Sequence, residues 1–119
     1  MYFEFHQERR QGWAPAVDVC ERPNEIVVFV EMPGASREDV KLSWNDGVLT
    51  ISGIKREPPD PEGTRYHCLE RNYGQFRREL AIHIPIDHRQ ARAELRDGIM
   101  RIYLPKRTPA PQSGEIPIT

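Results

Sequence analysis

Residues 40–51 read Val-Lys-Leu-Ser-Trp-Asn-Asp-Gly-Val-Leu-Thr-Ile, and this stretch decides the fold class. Val40, Leu42 and Trp44 alternate with polar residues, which is the pattern of a strand with one buried face. Asp46-Gly47 comes next, a pair that tolerates the positive φ of a two-residue hairpin turn. Residues 48–54 return as the partner strand. The stretch therefore predicts an antiparallel β-hairpin.

The same alternation recurs on both sides of this hairpin. It predicts six further strands, at residues 17–20, 26–32, 66–71, 76–84, 91–95 and 100–104. A second pair, Asp97-Gly98, predicts a second tight turn. Only residues 36–40 offer a helix start, and for one turn at most. Eight short strands separated by turns indicate an all-β fold, an immunoglobulin-like antiparallel β-sandwich.

The length and net charge of the chain disfavour several classes of function. A chain of 119 residues fits one domain with one core. Its 17 Lys and Arg against 18 Asp and Glu give a net charge of −1, so electrostatics favour neither nucleic acid nor an anionic membrane as a partner. No apolar run approaches the roughly 20 residues of a membrane span, and residues 1–11 lack an apolar signal core. We expect a cytoplasmic protein with no nucleic-acid or membrane partner.

No catalytic or metal-binding pattern is present in the sequence. Cys20 and Cys68 show no C-x-x-C spacing. The histidines are scattered, at His6, His67, His83 and His88. Nucleophile-elbow, phosphate-loop and H-E-x-x-H motifs are missing. We therefore expect no enzyme activity, no cofactor and no metal.

The C-terminal triplet Ile116-Pro117-Ile118 follows a polar, proline-containing stretch at 108–115. Isoleucine is usually buried, and alternation places Ile116 and Ile118 on one side of an extended segment. The triplet predicts a docking peptide. The alternative is a frayed terminus with two incidental isoleucines.

Residues 56–63 carry three prolines and several acidic side chains, which indicates a stiff, solvated connector. Residues 65–71 follow it and are too polar for a central strand of the chain's own core. Such a segment is suited to pairing with a sheet edge of another subunit. An ordinary long hairpin loop is the alternative.

In order and spacing, several stretches together resemble the small heat-shock proteins, the α-crystallin-domain family, in their bacterial type. They are Trp-Ala-Pro-Ala-Val-Asp at 13–18, Glu-Met-Pro-Gly at 31–34, Asp-Gly-Val-Leu-Thr-Ile-Ser-Gly at 46–53, Glu-Arg-Asn-Tyr-Gly-Gln-Phe-Arg-Arg at 70–78, residues 93–105, and the tail triplet. The resemblance implies three regions: a short N-terminal arm (1–12), an α-crystallin domain (13–106, with a loop and swapped strand at 55–73) and a C-terminal tail (107–119).

The resemblance also implies a strand-swapped dimer, in which residues 65–71 add to the first strand of a partner. The implied interface residues are Val17, Val19, Tyr66, His67, Cys68, Leu69, Arg71 and Arg78. Arg78 alternates in register with Phe76 and Leu80, so a charge lies on an apolar face and a carboxylate of the other subunit is expected to pair with it. The alternative is an arginine at the sheet rim with a snorkelling stem. The same pairing would bring Cys20 and Cys68 close across the dimer, reduced in a cytosol and able to form a disulfide under oxidation.

For the tail, the resemblance implies that Ile116, Pro117 and Ile118 dock into a groove of a neighbouring subunit. The groove is expected to be lined by Val40, Leu42, Ala93 and Leu95. Expected client contacts are Tyr2, Phe3, Phe5 and Trp13, and both tryptophans are expected in the core or at the groove rim.

The function implied is ATP-independent holding of unfolding proteins by an exchanging homo-oligomer, with copies of itself and client proteins as partners. The N-terminal arm is shorter than the family usually carries, which we expect to limit assembly size and holding strength. One alternative is a CS-domain-like co-chaperone adaptor that binds one specific partner. Another is a structural or carbohydrate-binding sandwich.

Overall fold

The computed structural model of the protein describes residues 12–107 and 115–118. Within these ranges the chain forms seven strands and two single-turn 3-10 helices. The strands are β1 (Val17–Glu21), β2 (Glu25–Glu31), β3 (Val40–Asn45), β4 (Val48–Lys55), β5 (Gly74–Ala81), β6 (Arg92–Arg96) and β7 (Ile99–Pro105). The helical turns are Arg37–Asp39 and His88–Gln90. The predicted all-β class is confirmed, and the first turn matches the short helix start expected at 36–40.

The strands form two antiparallel sheets, with the order β1-β2-β7-β6 in one and β3-β4-β5 in the other. Alternate residues of both sheets meet in one core. The buried core residues are Ile26, Val28, Val30, Met32, Leu49, Ile51, Phe76, Ile82, Ile86, Met100, Ile102 and Leu104. Two layers that bury one face each are the sandwich that the strand pattern predicted.

Both predicted hairpin turns form as expected. Asp46 and Gly47 have φ values of 49° and 78°, and Asp97 and Gly98 have φ values of 52° and 75°. Positive φ at both central positions is the geometry of a type I′ turn, whose twist matches that of the flanking strands. The first of these turns fixes the register of β3 against β4.

One predicted strand does not form in the single chain: residues 66–71 are exposed and irregular. Local hydrogen bonds form in and just before this segment: the Tyr66 hydroxyl donates to Asp60, and the Thr64 hydroxyl donates to the carbonyl of Pro61. A strand needs a neighbouring sheet edge to satisfy its backbone groups, and the segment belongs to neither of the two described sheets. Pairing with a second copy stays a prediction.

The strand predicted to reach residue 84 ends at Ala81 instead. The backbone N–H of Ile82 donates to the carbonyl of Gly47, so the chain turns over the end of the β3–β4 hairpin. Ile82 and Ile86 are buried beyond the strand, where they close one end of the core. Apolar alternation continued past the strand because these isoleucines still face the core, although they no longer belong to a sheet.

Two sheet edges lie on each side of the sandwich. Trp13 exchanges backbone hydrogen bonds with Gln75 and Arg77 on the edge of β5, and four residues later the chain enters β1. Four residues span at most about 14 Å, which only just covers the separation of roughly 10 Å between stacked sheets. The edges of β5 and β1 therefore lie on one side, and those of β3 and β6 lie on the other.

Candidate functional site

The inner face of β3 carries apolar side chains at an open edge. Leu42 lies opposite Ile51 of β4, which is fully buried, and Val40 lies opposite Gly53. Residues that are directly opposite in an antiparallel pair share a face, so Val40 and Leu42 point between the sheets. Both are only half-buried although they pack against the core. Trp44, two residues further on, has the same orientation and the same partial burial.

The inner face of β6 completes this opening from the other sheet. Ala93 lies opposite Ile102, and Leu95 lies opposite Met100, and both partners belong to the core. Leu95 is half-buried and Ala93 is exposed. The Ala93 side chain is the smallest of those that line the opening.

We call the opening lined by Val40, Leu42, Ala93 and Leu95 the β3–β6 cleft. Charged neighbours such as Lys41 and Glu94 alternate to the outer faces of the two strands and are exposed. The cleft is thus an apolar strip that lies between the charged outer faces of β3 and β6. The structure brings the four predicted groove residues to one side of the sandwich, and Trp44 joins them on the same face.

The tail triplet does not occupy the cleft of its own chain. Ile116 is 88% exposed and Ile118 is 98% exposed. Residues 108–114, which connect the triplet to the domain, lie outside the described part of the chain. Two large apolar side chains therefore stay in solvent in the single chain.

The free edge of β1 is a second surface with no strand paired to it among the described residues. Ala16 accepts a hydrogen bond from the N–H of Glu31, and the N–H of Arg22 donates to Glu25. Even-numbered residues of β1 therefore bond to β2, and the backbone groups of Val17, Val19 and Glu21 point away from the sheet. Val19 is also 52% exposed on the inner face. This edge can accept another strand.

The segment predicted to be swapped carries matching apolar residues. Tyr66 is 43% exposed and Leu69 is 37% exposed. Together with Val19 and the two tail isoleucines, they are the exposed large hydrophobic residues of the described chain. The predicted interface and tail residues thus account for this exposed apolar surface.

Two side chains of this segment have shifted acid–base properties. The hydrogen bond to Asp60 raises the pKa of Tyr66 above its ordinary value. Partial desolvation, together with a hydrogen bond to Glu70, raises the pKa of the Cys68 thiol. Cys68 and Cys20 are both free and exposed.

Arg78 has the surroundings that the sequence predicted. It is half-buried, alternates with Phe76 and Leu80, and lies opposite the buried Ile51. No described carboxylate forms an ion pair with it. By contrast, the neighbouring Arg77 points outward and pairs with Glu79 at 2.6 Å. A partner's carboxylate and a rim position both remain compatible with this arrangement.

Trp13 is the one expected client contact that lies within the described residues; Tyr2, Phe3 and Phe5 lie outside them. Its ring packs on Phe76 at 5.3 Å between centroids, and the Lys55 ammonium lies 5.9 Å from its centroid. Its indole N–H is buried without an acceptor. An open cavity of about 710 Å³ adjoins the ring. Trp13 therefore packs against the core at the edge of β5, on the side of the sandwich opposite the β3–β6 cleft, and does not lie at the groove rim.

Within 12–107 and 115–118, no three His, Cys, Asp or Glu side chains are placed to hold a metal ion. Of the helices in those ranges, none has the length and apolarity to cross a membrane.

The Hsp20/alpha crystallin family model matches residues 18–119 of the chain, which covers the cleft, the free edge and the tail. The chain belongs to this family. A curated relative, small heat shock protein C4 of Rickettsia felis, is 32% identical over 94 residues. That alignment covers 79% of this chain and 58% of the relative's length.

Solved structures agree with the family assignment. Heat shock protein 16.0 of Schizosaccharomyces pombe superposes with a TM-score of 0.75 at 32% identity, covering 90% of this chain and 99% of that one. A small heat-shock protein from Xylella fastidiosa gives a TM-score of 0.75 at 29% identity, covering 92% and 99% of the two chains.

Membership confirms the resemblance and the sandwich. The chain therefore belongs to the small heat-shock protein family, whose members are non-enzymatic chaperones. The co-chaperone adaptor alternative is not favoured by these matches.

Proposed function

We propose that this Hsp20 protein is an ATP-independent holdase that binds unfolding proteins and prevents their aggregation. It works as an exchanging homo-oligomer built from strand-swapped dimers. The observation that carries the proposal is the coincidence of an open apolar cleft with exposed apolar tail residues in one chain. Each of the two surfaces suits the other, and neither is covered in the single chain.

Tail docking links dimers into larger assemblies. Ile116 and Ile118 of one subunit enter the β3–β6 cleft of another, where Val40, Leu42 and Leu95 are already half-buried. Burying each isoleucine contributes roughly 1.5–3 kcal/mol, so one tail gains about 3–6 kcal/mol before ordering costs. Ordering the tail offsets a sizeable part of that gain. A single tail therefore binds weakly, and several tails in one particle hold by effective concentration.

The dimer forms by strand addition at β1. Residues 65–71 of one copy pair with the outward backbone groups of Val17, Val19 and Glu21 of the other, and the exchange is reciprocal. Leu69 then covers Val19, which is otherwise exposed. This assignment gives the segment the sheet edge that it lacks in a single chain.

Client binding uses the same apolar surfaces. When a tail leaves its cleft, Val40, Leu42 and Leu95 become available to apolar segments of an unfolding protein. Binding the unfolded chain holds it by mass action without nucleotide chemistry. The aromatic side chains of Tyr2, Phe3, Phe5 and Trp13 add further contacts. The site of action that we propose is the cytoplasm.

The test of this function replaces both tail isoleucines, Ile116→Ala with Ile118→Ala, in the full chain. Size-exclusion chromatography should show a shift from large particles towards dimers. Light scattering of a heat-labile client enzyme should show that this variant and the wild type suppress client aggregation to different extents. The matched control is Gln112→Ala with Ser113→Ala in the same tail. An unchanged large particle in the first variant would refute tail-driven assembly, and a wild-type protein that never suppresses client aggregation would refute holding.

A further inference from the structure

Alternate residues of β1 direct their backbone groups toward β2 or away from it, and this alternation sets the geometry of any strand added to β1. Asp18 and Cys20 direct their backbone groups toward β2, as the bonds of Ala16 and Arg22 on either side establish. Toward an added antiparallel strand they therefore occupy non-hydrogen-bonded positions, where opposite Cα atoms are about 4.5 Å apart. Disulfides are formed at Cα separations of roughly 4.4–6.8 Å. Cys20 thus stands where a directly opposite cysteine can be bridged.

The exposed apolar residues select a register for that strand. Val19 and Leu69 are 52% and 37% exposed in the single chain. Pairing them opposite each other lets each cover the other on the inner face. In an antiparallel pair the next residue of one strand meets the previous residue of the other. Cys20 then lies opposite Cys68, with both on the outer face.

We propose that Cys20 of one copy and Cys68 of a second copy form an inter-subunit disulfide that locks the dimer in oxidising conditions. The oxidant is a low-molecular-weight disulfide such as oxidised glutathione. The inference rests on the strand-swapped dimer of the proposed function and fixes its register. The reciprocal exchange gives two equivalent bridges for each dimer.

The chemistry is thiol–disulfide exchange in two steps. One protein thiolate attacks oxidised glutathione, breaks its S–S bond and releases one glutathione thiolate, which takes up a proton. The opposite cysteine loses its proton and attacks the mixed disulfide, which forms the protein S–S bond and releases the second glutathione. Two protein thiols are oxidised by two electrons in total, and one glutathione disulfide is reduced to two thiols.

The same register explains why a covalent link has an effect. It places Asp18 opposite Glu70, and like charges directly opposite weaken strand pairing. The non-covalent contact at this edge is therefore held mainly by apolar residues such as Val19 and Leu69. A bridge between Cys20 and Cys68 keeps the strand in place and stops subunit exchange.

The decisive experiment oxidises the full chain with oxidised glutathione and separates it on a non-reducing gel. Wild type should give a cross-linked dimer that dithiothreitol reverses. Cys20→Ser alone and Cys68→Ser alone should each give monomer. An equimolar mixture of the two variants, combined before oxidation, should restore the dimer, because only a bridge between Cys20 and Cys68 of different copies is left.

Other outcomes overturn the proposal in distinguishable ways. Cross-linking of one variant by itself indicates bridges between identical cysteines and overturns the register. A fast-migrating oxidised monomer indicates a bridge within one chain and also overturns it. Sedimentation of the reduced protein separates the two levels: a reduced dimer without cross-links refutes only the disulfide, whereas a reduced monomer refutes the swapped dimer of the proposed function.

Discussion

The backbone carbonyl of Asp39 approaches Gly53 so closely that a Cβ at position 53 would lie 2.0 Å from its oxygen. The same Cβ would lie 2.9 Å from the ring of Phe76. Glycine at 53 lets the chain enter β3 against β4 at this point, where Val40 lies opposite Gly53 at the mouth of the cleft.

We expect Gly53→Ala to destabilise the domain by about 3 kcal/mol, because overpacking typically costs about 1–3 kcal/mol and the added Cβ meets backbone here. Urea unfolding followed by tryptophan fluorescence measures the change. Ser52→Ala, the preceding residue on the opposite face of β4, is the control and should cost little. An unchanged midpoint for Gly53→Ala would contradict the close approach.

Leu42→Glu should block tail docking, because it places a negative charge among the apolar side chains that line the β3–β6 cleft. The loss of one buried contact of roughly 1.5–3 kcal/mol should weaken docking about tenfold or more. Analytical ultracentrifugation should show dimers in place of larger particles. Ser43→Glu adds the same charge to the outer face of the same strand and should leave assembly intact. Equal behaviour of the two variants would argue against the cleft.

Leu69→Lys should weaken the dimer, because Leu69 is the apolar residue that we place opposite Val19 of the partner. The expected increase in the dimer dissociation constant is about tenfold or more, from a burial of roughly 1.5–3 kcal/mol. Sedimentation of the reduced protein at a series of concentrations gives this constant. Glu62→Lys changes the charge in the connector before the segment, away from the proposed contact, and it should have a smaller effect. Comparable effects from both substitutions would mean that charge alone is being measured.

Arg78→Met distinguishes an interface charge from a rim arginine. If a partner's carboxylate pairs with Arg78, removing the guanidinium leaves that carboxylate buried and unpaired, at a cost of about 3–5 kcal/mol in dimer stability. We expect this loss, with partial rescue by Arg78→Lys. Arg77→Met removes an outward, exposed charge and should change dimer stability by less than about 1 kcal/mol. A negligible effect of Arg78→Met would establish the rim position.

Glu70→Gln should make Cys68 more reactive at neutral pH. Partial desolvation raises the pKa of Cys68 most, and the hydrogen bond to Glu70 and its negative charge raise it further, so removing that charge lowers the pKa and increases the thiolate fraction. Because the thiolate is the nucleophile, alkylation by iodoacetamide should speed up below the original pKa and converge well above it. The Cys20→Ser background isolates Cys68, and Glu62→Gln is the control. Slower alkylation of Glu70→Gln at neutral pH would show that the sign is wrong.

The hairpins and most strands could be read from residues that are close in sequence. Alternation over 40–44 and the Asp46-Gly47 pair are sufficient because side chains of a strand alternate strictly and few residues tolerate two successive positive φ angles. The segment at 66–71 has too little apolar alternation to make a strand without a partner edge. Ile82 carries on the apolar pattern, but its N–H bonds to Gly47 outside a sheet. The local pattern of apolar residues predicts which side chains are buried, but it does not predict which strand is available to pair with the backbone.

The chain's residues alone specified a β-sandwich, its two tight turns and an apolar triplet at the end of a polar tail, since each depends on local periodicity or on backbone freedom at one or two positions; the family followed from the resemblance of several stretches. Only the folded molecule established that β3 and β6 are edges on the same side, and that Val19 turns its backbone groups outward at the edge of β1 while Cys20 bonds to β2. Edges and hydrogen-bond phase depend on which distant strands pair, and that pairing is set by the packing of the whole core.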